Sequence, residues 1–75
     1  MGFLQMVHDE LARARVAHGP IQTAHEGWAV IFEELDEFWD LVRLKKEERD
    51  PAEMLKELIQ TAAMCQRTAE DLGLV

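Results

Sequence analysis

The segment IQTAHEGWAVIFEELDEFWDLV, residues 21–42, decides the fold of this chain. Its apolar residues recur at steps of three and four, the spacing of one stripe along a helix that packs lengthwise against another. The stripe consists of Ile21, Ala24, Trp28, Ile31, Leu35, Phe38 and Val42. Asp36 and Asp40 fall on the opposite face, whereas Glu34 and Glu37 fall beside the stripe. The segment therefore predicts a half-buried helix with two carboxylates near its buried side.

Stop and start residues divide the chain into three helices. The first is predicted over residues 3–17, because Gly19-Pro20 cannot continue it. The second is predicted to start at Thr23, an N-cap residue with Glu26 at the spacing of a capping box, and to reach about Glu47. One face of the first helix is apolar and comprises Leu4, Val7, Leu11 and Ala14.

The third helix is predicted to begin after Asp50, with Pro51 at its first position, and to end before Gly73. Its apolar stripe comprises Leu55, Leu58, Ala62, Cys65, Ala69 and Leu72. No segment alternates with period two, so the fold class is all-α. Because the connection between the two long helices is short, we expect helices two and three to form an antiparallel hairpin, with helix one packed across it.

Composition indicates a single domain, residues 1–75, that associates with itself. Hydrophobic residues make up 48% of the chain, more than a small monomer can bury. We expect a homodimer or homotetramer in which two hairpins form a four-helix-bundle core. A net charge of −7 argues against binding to nucleic acid or to an anionic membrane surface. No signal peptide or membrane-spanning run is visible, and the expected compartment is the cytoplasm.

A second pair of polar residues faces the first across the predicted hairpin. Glu57 and Gln60 lie three apart beside the stripe of helix three, and nineteen residues separate Glu37 from Glu57. A hairpin of that length brings both pairs to the same height. Carboxylates on rigid helices suit magnesium, which takes oxygen ligands in octahedral geometry. The alternative is that such pairs are solvated surface, since glutamate is a good helix former.

The stretch from Glu33 to Glu37, followed by Glu57-Leu58-Ile59-Gln60, resembles the E-E-x-x-E and E-x-x-D motifs of the MazG-like all-α nucleotide pyrophosphohydrolases. The resemblance covers His25 to Leu72, about two-thirds of the chain. It implies hydrolysis of a nucleoside triphosphate, often a deoxynucleotide, to monophosphate and pyrophosphate. Magnesium, or manganese in its place, is the implied cofactor, and dimers or tetramers are the implied assembly.

Matched position by position, the resemblance implies a metal site at Glu34, Glu37 and Glu57. Gln60 stands where the family has aspartate, so it would be a weak or outer ligand without charge. In carrying glutamine here the chain resembles compact, phage-like members of the family. Glu33 matches the leading glutamate of the motif, and we expect it to orient the attacking water. It is the predicted catalytic residue.

Three further expectations concern side chains outside these motifs. Trp28 and Cys65 are predicted to be core residues because they lie on the apolar stripes. Arg13 or Arg15 is expected to reach a phosphate if helix one borders the site. The rival to an enzyme is a binding module: an acidic helical bundle that holds a protein partner, or a nucleotide without turning it over. Two acidic stripes beside apolar ones favour the enzyme.

Overall fold

The computed structural model describes residues 1–75 and contains three α-helices. They are α1 (Phe3–Ala17), α2 (Ala24–Val42) and α3 (Pro51–Asp71), and a short 3₁₀ turn at Lys46–Glu48 precedes α3. There are no strands. The predicted all-α class with three helices is therefore confirmed, and α1 has the predicted limits.

Side-chain caps explain where α2 and α3 begin. Thr23 Oγ1 accepts a hydrogen bond from the backbone N–H of Glu26 at 3.0 Å, and the Glu26 carboxylate accepts one from the backbone N–H of Gln22 at 3.1 Å. Asp50 Oδ1 accepts from the backbone N–H of Ala52 at 2.9 Å, with proline at the first helical position. These bonds satisfy backbone donors that the first helical turn leaves free, so both predicted N-caps are confirmed.

The end of α2 was predicted wrongly. The helix stops at Val42, five residues before the expected Glu47. The side chain of Arg49 supplies the reason, because its guanidinium donates to the backbone carbonyls of Val42 and Leu44. Carbonyls at a helix end need partners, and a side chain that folds back onto them ends the helix without further turns.

Helix α3 is the centre of the molecule. The backbones of α1 and α2 both pack against α3 but do not approach each other closely. The core consists of Val7, Leu11 and Ala14 of α1 with Ala63 and Met64 of α3. The half-buried side chains that pack on this core are Val30 and Ile31 of α2 with Ile59 and Ala62 of α3. The core is thus formed by α1 and α3, and α2 packs on it with half-buried side chains.

The segment between α1 and α2 is attached to the C-terminal half of α3. The guanidinium of Arg67 donates to the backbone carbonyl of Gly19, and the Asp71 carboxylate accepts from the backbone N–H of Ile21 at 2.9 Å. Arg15 forms ion pairs at 2.7 Å with Glu70 and with Asp71. The hydrogen bond from Ile21 and the charge of Arg15 hold the pKa of Asp71 below its usual range.

The apolar stripes of α2 and α3 face solvent to a greater extent than their pattern predicted. Trp28, expected in the core, is 66% exposed, and Cys65 is exposed as well. Leu4 of α1, expected on the packed face, is 84% exposed. The other two helices of the chain cover only one side of α3. The residues buried on that side are Glu57, Ala63, Met64 and Arg67. The predictions for Trp28 and Cys65 are wrong for this single chain.

None of the helices combines the length and the apolar character that crossing a lipid bilayer would require.

Candidate metal site

Three glutamates converge where α2 packs against α3. Glu34 and Glu37 lie one turn apart on α2, and Glu57 lies on α3. Each offers one carboxylate oxygen, and the three oxygens all lie within 4.8 Å of one another. Glu57 is buried, Glu34 is half-buried and Glu37 is exposed. The structure therefore brings together three of the four residues that the sequence proposed as metal ligands.

The fourth, Gln60, lies between two of these carboxylates. In the orientation that satisfies both ends of its amide, Nε2 donates to Glu34 Oε2 at 2.9 Å and to Glu57 Oε2 at 3.3 Å. An amide that donates to two carboxylates reduces their mutual repulsion without adding charge. In the protein alone, Gln60 thus acts as a hydrogen-bond bridge between α2 and α3.

Two carboxyl groups of the cluster, those of Glu34 and Glu57, hold their protons more tightly than ordinary glutamates do. Burial raises the pKa of Glu34 to about 7, and the nearby charges of Glu37 and Glu57 act in the same direction. Burial also raises the pKa of Glu57, assisted by its contact with Glu37. Partly desolvated carboxylates that face one another favour a shared proton or a cation. A divalent cation would supply the missing positive charge.

Glu33, the predicted catalytic residue, is exposed on α2 and is not one of the three converging glutamates. It lines an open cleft of about 400 Å³, which we call the α1–α2 cleft and which Glu34 and Gln60 also line. The cleft connects Glu33 with the cluster, so a group bound there would lie beside both. Glu26, at the start of α2, lines the same cleft.

The structure distinguishes between the two arginines of α1. Arg13 lines the α1–α2 cleft, whereas Arg15 is held by Glu70 and Asp71. Arg13 is bonded to Glu10, and this hydrogen bond, with a smaller contribution from Glu34, raises the pKa of its guanidinium. Of the two candidates, Arg13 is therefore the one that borders the cluster.

Sequence reasoning missed Arg67. Its side chain is buried, yet it lines the α1–α2 cleft together with Arg13 and His18. A signal for it was present, because Glu57, Gln60, Met64, Arg67 and Asp71 also follow steps of three and four along α3. This largely polar stripe is the one that α3 turns inward.

The fold and these side chains define an all-α protein with a carboxylate cluster between two helices and a mixed-charge cleft beside it. Comparison with known proteins assigns no family to it, because no family model matches the chain and searches of curated proteins and of solved structures returned no match.

Proposed function

We propose that this protein is a magnesium-dependent nucleoside triphosphate pyrophosphohydrolase of the MazG-like kind, acting in the cytoplasm. The observation that carries the proposal is the convergence of Glu34, Glu37 and Glu57, whose oxygens lie within 4.8 Å of one another. These three glutamates are the residues that match the metal-binding motifs of the MazG-like family. A surface pair on a helix would have no reason to face a buried glutamate on another helix.

The donor set fits a hard cation. Octahedral magnesium with ligands at about 2.1 Å places neighbouring oxygens about 3 Å apart and opposite ones about 4.2 Å apart. The separations within the cluster allow this after small side-chain movements. Glu34, Glu37 and Glu57 would hold magnesium, or manganese, and Gln60 would add an uncharged oxygen after its amide rotates away from the hydrogen bonds with Glu34 and Glu57. The ion when bound would neutralise phosphate charge and lower the pKa of a coordinated water.

The remaining chemistry would come from side chains of the cleft. In the proposed reaction, the oxygen of water bonds to the α-phosphorus while the bond from that phosphorus to the α–β bridging oxygen breaks. Pyrophosphate leaves with the electron pair of that bond, and the nucleoside monophosphate remains. Glu33 would orient the water by accepting one of its hydrogen bonds, and its carboxylate can take up the proton. Positioning and charge neutralisation would account for most of the catalysis.

The proposal includes the assembly. The order of contacts supports an antiparallel hairpin, because Gly27 near the start of α2 adjoins Thr68 near the end of α3, while Glu34 adjoins Gln60 and Glu57 farther back. The apolar residues left exposed on this hairpin are Trp28, Phe32, Leu35 and Trp39 of α2 and Leu55 and Leu58 of α3. Two such hairpins packed through these residues would form a four-helix bundle in a homodimer or a homotetramer.

The rival is a bundle that binds a nucleotide or a protein without catalysis. The residue at position 60 favours it, because glutamine in place of the motif's aspartate brings no negative charge to a metal. The exposed aromatic residues of α2 favour a protein partner. Turnover separates the two functions.

The first test is release of pyrophosphate from a panel of nucleoside triphosphates, with and without magnesium. We expect magnesium-dependent release by the wild type and a loss of at least about a hundredfold in Glu34→Ala/Glu37→Ala, because the charge stabilisation that they would provide is worth several kcal/mol. The matched control is Asp36→Ala/Asp40→Ala, which removes the same charge from exposed positions of the same helix. It should retain activity.

If no nucleotide is hydrolysed under any of these conditions, the enzyme proposal is wrong. Calorimetric binding of a nucleotide without turnover would then support the binding module instead. Equal activity in both double variants would exclude the carboxylate cluster as the catalytic metal site.

A further inference from the structure

The buried guanidinium of Arg67 is not fully satisfied by the protein. One of its terminal nitrogens donates to the backbone carbonyl of Gly19, and the other meets only the sulfur of Met64 at 3.6 Å. Its Nε has no hydrogen-bond partner, and the nearest carboxylate, that of Asp71, lies 3.9 Å away. A thioether is a weak acceptor, so the terminal nitrogen beside Met64, which also lines the cleft, could bind an oxygen in its place.

Unsatisfied donors on a buried charge are costly, and arginine ordinarily matches carboxylate or phosphate oxygens in pairs. The side chain of Arg67 is only 6% exposed, and it forms part of the wall of the α1–α2 cleft. Arg13 and His18 lie along the same cleft. The two arginines give the cleft a cationic side, whereas Glu33 and Glu34 give it an acidic side.

The other carboxylates around this cationic side already have partners. Glu10 accepts hydrogen bonds from Arg13, and Glu26 accepts one from the backbone N–H of Gln22. Arg13 donates to Glu10 through Nε and one terminal nitrogen, so its other terminal nitrogen can bind an anion while Glu10 keeps its partner. An anion that entered the cleft could therefore bind Arg13 and Arg67 without leaving a buried carboxylate unpaired.

We propose that Arg67 and Arg13 form a diphosphate subsite that holds the β- and γ-phosphates of the substrate, and later the released pyrophosphate. This inference rests on the proposed function and assigns a direction to the substrate within that site. The α-phosphate then lies toward Glu33 and Glu34. The β- and γ-phosphates lie toward Arg13 and Arg67. A volume of about 400 Å³ accommodates a diphosphate.

The test uses inorganic pyrophosphate as the probe and the full chain. In the wild type, pyrophosphate with magnesium should shift the ¹H–¹⁵N resonance of the Arg67 Nε–H group, and sulphate at equal ionic strength should not. By calorimetry, Arg67→Lys and Arg13→Gln should each bind pyrophosphate about tenfold or more weakly, because charge-assisted hydrogen bonds are lost. Arg43→Gln, which removes an exposed arginine paired with Asp40, is the matched control and should bind normally.

Manganese affinity, measured without pyrophosphate, should be unchanged in all three variants, which separates the subsite from the metal ligands. If Arg67→Lys fails to fold, Arg13→Gln and the wild-type resonance still decide the question. Wild-type affinity in Arg13→Gln together with an unmoved Arg67 resonance would overturn the subsite. Pyrophosphate binding that depends on both arginines in a chain without turnover would retain the subsite and reject the pyrophosphohydrolase.

Discussion

At the scale of single residues, Glu34 is the clearest exception to helix patterning, because a carboxylate occupies a half-buried position. It sits half-buried beside apolar neighbours, faces two other carboxylates, and accepts a hydrogen bond from Gln60. Its pKa of about 7 means that, without metal, much of its population is protonated at neutral pH. Such a residue lowers the stability of the metal-free protein at neutral pH, which is typical of functional positions.

Metal-free stability should therefore depend on pH through Glu34. The pKa of Glu34 rises from 4.5 in the unfolded chain to about 7 in the folded protein, because folding favours its protonated form. The contribution of this carboxyl group to stability is therefore complete below pH 4.5 and is lost as the pH rises through 7. Glu34→Gln removes this loss. Allowing for solvent screening, we expect a gain of roughly 1–2 kcal/mol in the free energy of unfolding at pH 8 and little gain at pH 4.5.

Urea denaturation in a chelating buffer at both pH values measures this difference. Asp36→Asn, which neutralises an exposed carboxylate on the same helix, is the matched control and should show no comparable dependence on pH. A Glu34→Gln variant that is less stable than the wild type at pH 8 would contradict the proposed repulsion within the cluster.

At the scale of the helices, the close approach of α2 and α3 depends on one glycine. A Cβ at Gly27 would lie 2.5 Å from Thr68 Cγ2 and 3.0 Å from Thr68 Oγ1. Glycine in a helix interior costs about 1 kcal/mol relative to alanine. Its presence here is explained by contact between the two helices, which also keeps Glu34 close to Glu57.

Gly27→Ala should lower the free energy of unfolding by about 1–3 kcal/mol, because overpacking outweighs the gain in helix propensity. In a Thr68→Ala background the nearest clashing atoms are absent, and the same substitution should be close to neutral. Thr68→Ala alone should change the free energy of unfolding little through hydrogen bonding, because Thr68 Oγ1 is buried without a partner. A double-mutant cycle with no coupling between the two positions would show that this contact does not limit the helix separation.

At the scale of the whole molecule, the single chain leaves much of its apolar surface in solvent. Nine of 75 residues are buried, whereas large side chains along α2 and α3 are a third to two-thirds exposed. A core of this size is marginal for a domain on its own. The exposed apolar surface of α2 and α3 is therefore where the molecule can gain stability by association.

Leu35 is 50% exposed in the middle of this surface. Leu35→Glu should convert the expected dimer or tetramer to a monomer, because it would bury a charge in the interface while leaving the intramolecular core unchanged. Sedimentation velocity measures the change. Val16→Glu on α1, where the side chain is 91% exposed, is the control and should leave the assembly intact. A wild-type protein that is monomeric at high concentration would contradict the proposed assembly.

Local chemistry along the chain was enough to predict the helices and most of their limits. Thr23 and Asp50 cap the following turns with bonds to residues two or three positions on, so their role is visible in the sequence. The end of α2 was missed because Arg49 reaches back seven residues to Val42, a contact that no local pattern predicts.

The sequence by itself determined which faces of α2 and α3 carry Glu34, Glu37 and Glu57, because the helical period fixes the face on which each residue lies, and the structure brings these faces together. Only the tertiary structure decided which side of α3 is covered. Periodicity defines stripes on a helix but does not state which stripe meets another helix. Along α3 an apolar and a largely polar stripe lie side by side, and α1 covers the one that contains Arg67. That choice exposed Trp28 and Cys65, and it placed the buried Arg67 in the wall of the cleft that Glu34 also lines.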